Sequence, residues 1–151
     1  MTAIRALMLL ALIVWIGGII FFAFVLAPAL FSLLSVNLAG NVVSRCLTVL
    51  HWMGIVSAMV FLACSLFYSQ SKFARPRPFA LVNIFALLML ALTLVSQFGI
   101  TPRMRTLRPQ IEASTEARTE FDRLHHWSTR SEGGVLFLGL GVVILTARRL
   151  S

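Results

Sequence analysis

No charged residue interrupts the chain between Ala6 and Leu34. As a helix, a run of that length exceeds the ~30 Å of hydrocarbon in a bilayer. It therefore predicts a membrane span. Pro28 is expected to kink the helix near its end, because it removes a backbone donor and crowds the preceding turn. Arg5 followed by apolar residues also has the outline of a signal peptide. The run is too long for one, however, and Pro28 would directly follow a cut after Ala27.

Three further apolar stretches follow, and the composition agrees with a bilayer location. At 59% hydrophobic and 12% charged, with a mean hydropathy of +0.93, the chain has more apolar surface than a soluble core of 151 residues could bury. A net charge of +8 would also fit a nucleic-acid binder, but all except one of the 13 basic residues are arginine, and they sit mostly beside the apolar runs. That placement suits topology signals and anionic headgroups, so lipid is the expected partner and nucleic acid is not.

The expected architecture is an all-α integral membrane protein: one domain, residues 1–151, with four transmembrane helices in an antiparallel bundle. The spans are placed at residues 6–34, 42–69, 79–101 and 133–147. Asn37, Gly40 and Asn41 predict a short turn over residues 35–41, and Lys72, Arg75 and Arg77 with Pro76 and Pro78 a basic, proline-broken loop. All five acidic residues (Glu112, Glu116, Glu120, Asp122 and Glu132) fall in one segment. Residues 110–132 of that segment read as an amphipathic helix leading into the fourth span, with Ala117, Phe121, Leu124 and Ser128 on one face, His125 at its edge and His126 nearly opposite.

In this topology the second span begins, the third ends and the fourth begins at one membrane face. His51, Arg45, Gln97, Arg103, His125 and Ser128 all lie toward that face and form the candidate polar site. His51 leads it, because hydrocarbon offers an ionisable side chain no partner. Three roles remain open for it: a hydrogen-bonded packing residue, a group that meets a proton or substrate, and a metal or haem ligand paired with His125. Arg45 is expected to snorkel to the surface, and Arg103, Arg105 and Arg108 to meet headgroups. On a helical plot Ser44, His51, Gly54, Ala58 and Ser65 form a stripe that should face protein. Trp15, Gly17 and Gly18, and the glycines 133, 134, 139 and 141, read as close-packing surfaces, with a homo-oligomer contact as the second use of the latter.

Enzyme signatures are missing. No GxSxG, HExxH, P-loop or CxxC pattern is present, and no acidic residue falls inside an expected span. Cys46 and Cys64 lie on one helix roughly 27 Å apart, beyond disulfide reach. A single copy shows neither the inverted repeat nor the paired broken helices of a secondary transporter.

Several short motifs occur in a suggestive order: Trp15-Ile16-Gly17-Gly18, Phe21-Phe22, Ala27-Pro28-Ala29-Leu30-Phe31, Ile100-Thr101-Pro102-Arg103-Met104, and Phe121 with Leu124, His125 and Ser128 before Gly133. Together they resemble the transmembrane protein 205-like family, also described as domain of unknown function 4149. The resemblance covers nearly the whole chain. It implies a four-helix integral membrane domain of no assigned activity, and it places the family-type histidine at His125. A weaker similarity to copper-resistance D-like and haem-linked membrane proteins supports the alternative of a haem- or metal-binding redox protein using His51 and His125, although no methionine or cysteine cluster flanks those histidines. The leading expectation is non-enzymatic and without a cofactor: a structural, transport-accessory or small-molecule-handling module of a bacterial inner membrane, with both termini cytoplasmic.

Overall fold

In a computed structural model describing residues 2–73 and 80–150, the chain is all helical. Arg75, Pro76, Arg77 and Pro78, the expected basic loop, lie outside the described residues. Four long apolar helices pack antiparallel: α1 (Thr2–Leu33), α2 (Val36–Phe73), α3 (Leu81–Gln110) and α4 (Thr115–Leu150). All four are long and apolar enough to cross a membrane. Large apolar side chains such as Phe24, Leu33, Phe67, Phe98 and Phe137 point outward, as a lipid-facing surface requires. The inward set, including Met8, Leu12, Trp15, Phe61, Met89 and Val142, closes the core.

α1 packs chiefly on α2, and α3 on α4. Close approach is local and residue-specific. A Cβ on Gly54 would lie 2.7 Å from the Trp15 indole nitrogen, and one on Gly139 would lie 2.9 Å from Ile16. Gly17 and Gly133, which the sequence also suggests as packing positions, instead have nothing within 4 Å. The expected stripe on α2 does face protein: His51, Gly54, Ala58 and Ser65 are buried.

The turn expected at residues 35–41 is shorter. Leu34 is extended, and α2 starts at Val36. Asn37, Gly40 and Asn41 thus belong to the helix, where they serve tertiary contacts rather than a break. Asn37 donates to Glu112 at 3.1 Å, and the Arg108 guanidinium occupies the space a Cβ on Gly40 would need.

Each prolined helix widens just before its proline. In α1 a π-turn spans Phe22–Leu26 ahead of Pro28; in α3 a π-turn spans Ser96–Ile100 ahead of Pro102. The Ala27 amide bonds the Phe22 carbonyl, and the Thr101 amide bonds that of Ser96, each reaching five residues back. Such widening accommodates a residue that has no N–H and whose ring crowds the carbonyl four positions earlier. Both helices stay continuous through the widened turn. A proline in an apolar run signals an interruption, but the matched position in both halves shows only when the two helices are compared.

Candidate functional site

His51 lies 15 residues into α2, about 22 Å from its start. The ring is 2% exposed, and both of its nitrogens are engaged. Nδ1 meets Gln97 Oε1 at 3.0 Å, and Nε2 meets Glu132 Oε1 at 2.7 Å. Gln97 reaches it from the π-turn of α3, Glu132 from the middle of α4. With Gln97 presenting an oxygen, Nδ1 carries a proton and donates it. The short contact at Nε2 joins the ring to the Glu132 carboxyl and ties α2 to α4. Beside this cluster the Ser96 hydroxyl donates to that of Ser131 at 3.0 Å, tying α3 to α4.

Glu132 is the candidate site residue that sequence reasoning missed. The expectation of no acid within a span failed because the fourth span was started at residue 133, where two glycines follow Glu132. α4 instead runs unbroken from Thr115, so Glu132 lies well inside it. The available signal was its position: a carboxylate one residue from an apolar helix, opposite a buried histidine of unknown partner.

A cavity of about 420 Å³ opens beside the cluster, and Glu132 forms part of its wall. Most of its lining is apolar, from Ile19, Phe22, Ala23, Ala27, Phe31 and Leu47. Its polar positions include Thr101, Arg108, His125, Ser128 and Glu132. Thr101 is 5% exposed, and its hydroxyl has no hydrogen-bond partner among the described residues. A neighbouring polar basin shares Asn37, Ser44 and Arg108 with the cavity and adds Arg45, Arg105 and Glu112. Arg105 donates to the Ser44 and Thr48 hydroxyls.

The expected site residues therefore divide. His51 and Gln97 touch; Ser128, which is buried, and His125 line the cavity; Arg45 lies in the adjoining basin. Arg103 goes elsewhere, forming a two-pronged pair with Glu120 at 2.9 and 3.2 Å near the surface. His125 stacks on Phe121 and stands seven residues, about 10 Å, along α4 from Glu132. Both ring nitrogens of His51 are taken by Gln97 and Glu132, so it presents no free nitrogen for a ligand shared with His125. A metal at His51 would have to displace Gln97 or Glu132, and among the described residues no group of three or more His, Cys, Asp or Glu side chains converges. His126 donates from Nδ1 to its own helix, at the Asp122 carbonyl, 2.7 Å away.

At the opposite end of the bundle, Arg5, Lys72 and Arg149 stand over the buried Tyr68 ring at 5.2–5.6 Å from its centre. Arg149 also donates to the Ser65 and Ser69 hydroxyls. This end gathers the two termini and the end of α2.

Fold and site together define a four-span helical membrane protein with a buried polar cluster and an adjoining cavity. The chain belongs to the family described as a domain of unknown function, DUF4149, which matches residues 10–113. That match ends before α4, so the Phe121, His125 and Gly133 part of the resemblance lies beyond it. No curated protein and no solved structure matches the chain significantly.

Proposed function

We propose that this domain is a small-molecule-handling module that admits a largely apolar molecule from the bilayer into the cavity between α1, α2, α3 and α4. One observation carries the reading: a cavity of about 420 Å³, apolar over most of its wall, contains the unsatisfied, buried hydroxyl of Thr101 and abuts the His51–Glu132 pair. Binding sites for small molecules commonly combine an apolar lining of this size with a few convergent polar groups. In this reading the His51–Gln97–Glu132 cluster closes the inner end of the cavity and locks three helices around it. No step of bond-making chemistry is assigned to it.

The domain sits in a bacterial inner membrane with both termini cytoplasmic. The two ends carry similar numbers of Lys and Arg, so the orientation rests on Arg5 flanking the first span and on Arg118, Arg123 and Arg130 of the far end lying in the acid-rich segment. The cavity then faces the outer leaflet, with Arg45, Arg105 and Arg108 at headgroup level.

Photolabelling tests the reading. Palmitic acid and hexadecanol, each carrying a diazirine on the chain, are added to the protein in phosphatidylcholine nanodiscs. With at least one probe, labelled peptides should include cavity residues such as Phe22 and Leu47, and Ala27→Trp should abolish that labelling while outward residues such as Phe67 still react. Labelling confined to outward residues with both probes would overturn it.

A further inference from the structure

The two hairpins, α1–α2 and α3–α4, share several residues in one register. His51 follows Pro28 by 23 residues, and His125 follows Pro102 by 23. At the same offset Phe24 matches Phe98, Leu50 matches Leu124 and Ser57 matches Ser131. The π-turns fall in equivalent places, Phe22–Leu26 and Ser96–Ile100. π-turns within helices frequently mark functional sites, and these two stand at corresponding positions of the hairpins.

The two hairpins differ in one respect. The partners of His51 are Gln97 and Glu132, whose equivalents in the shared register are Ala23 and Ala58. His125 consequently has neither the carboxamide nor the carboxylate that His51 has, and among the described residues its ring makes only stacking contacts. Ala23 and His125 both line the cavity. Open space thus adjoins the exposed His125 on its Ala23 side, whereas His51 is buried; Ala58, the equivalent of Glu132, lies in the packed core.

The chemistry around that space is cationic and donor-rich. Arg108, half-buried, lies 5.2 Å over the Phe121 ring and has no carboxylate partner among the described residues. The basin beyond it holds Arg45 and Arg105, and its one acid, Glu112, is bonded to Asn37. Resting on the small-molecule reading above, we infer that the cavity is the vacated copy of the His51 site and takes a single-chain amphiphile with an anionic oxygen headgroup, carboxylate or phosphate. The headgroup oxygens meet His125 and Arg108, and the chain lies along Ile19, Phe22 and Leu47. The ligand supplies to His125 the oxygen that Gln97 supplies to His51.

The test uses three photoreactive probes of equal chain length in phosphatidylcholine nanodiscs: palmitic acid, hexadecyl phosphate and hexadecanol. Either anion should label the cavity about ten-fold more than the alcohol, as a charge-assisted pair with a guanidinium implies. A preference for the acid alone, or for the phosphate alone, supports the inference and identifies the headgroup. Arg108→Gln should remove the preference. Ala23→Gln, which restores the missing carboxamide from the opposite wall, should lower labelling by all probes about ten-fold. Both variants are compared with the parent by gel filtration and thermal unfolding, and Ala23→Gln remains decisive if Arg108→Gln does not fold. Equal labelling by alcohol and anions would overturn the headgroup assignment and leave chain binding standing. Unchanged labelling in Ala23→Gln would overturn the vacated-copy relation. No cavity labelling by any probe would remove the small-molecule reading as well.

Discussion

His51 Nε2 meets Glu132 Oε1 at 2.7 Å across 81 positions of sequence, inside a bundle of four apolar helices. His51 is buried and Glu132 partly so, and each is the other's partner. A buried charge that loses its partner costs about 3–5 kcal/mol, whereas replacing both members with apolar groups of similar size is often neutral. Glu132→Ala and His51→Ala should each lower the thermal unfolding midpoint strongly in detergent. The double variant His51→Phe/Glu132→Leu should sit much closer to the parent. If the double variant loses as much as the two single variants summed, the pair is not the unit described.

The bundle was legible in the sequence because charge-free length is a local property: the run from Ala6 to Leu34 needs no partner to be read as a span. His51 was legible for the same reason. Gln97 was placed toward the same face but its contact was not legible, since it reaches His51 from a π-turn of α3, and Glu132 looked like part of a water-exposed segment because four other acids precede it. Helical periodicity placed Ser128 on the inward face of α4 and His125 at its edge, where Ser128 is buried and His125 exposed, but no periodicity within one helix reveals a cavity formed by four.

Gly54 and Gly17 provide a paired test of packing. A Cβ at Gly54 would lie 2.7 Å from the Trp15 ring, while one at Gly17 would meet nothing within 4 Å. Gly54→Val should lose about 1–3 kcal/mol through overpacking. Gly17→Ala should be neutral or gain up to about 1 kcal/mol from helix propensity. Thermal unfolding of both variants checks this, and equal losses would contradict the contact at Trp15.

The proposed orientation puts the first turn of α4 outside the cell. A cysteine replacing the exposed Glu116, in a background with Cys46 and Cys64 replaced by serine, should react with an impermeant maleimide on intact cells. Reaction only after lysis would invert the orientation and move the cavity to the inner leaflet.

The π-turn of α3 offers the last test. Gly99 has no contacting neighbour where a Cβ would stand, so removing it takes away one turn residue and no packed side chain. Deleting Gly99 converts the widened turn to regular α-helix and leaves the flanking segments in register. It also brings the Pro102 ring back against the carbonyl four positions earlier, which costs about 3 kcal/mol. The deletion alone should therefore lower the unfolding midpoint, and deletion combined with Pro102→Ala should recover most of the loss, because the restored N–H closes the regular hydrogen bond. If the added substitution recovers nothing, the wide turn serves to aim Gln97 at His51 rather than to accommodate the proline. Gln97→Ala measured in both backgrounds separates these causes: its effect should persist after the deletion if the side chain still reaches Nδ1, and vanish if straightening α3 has already withdrawn it.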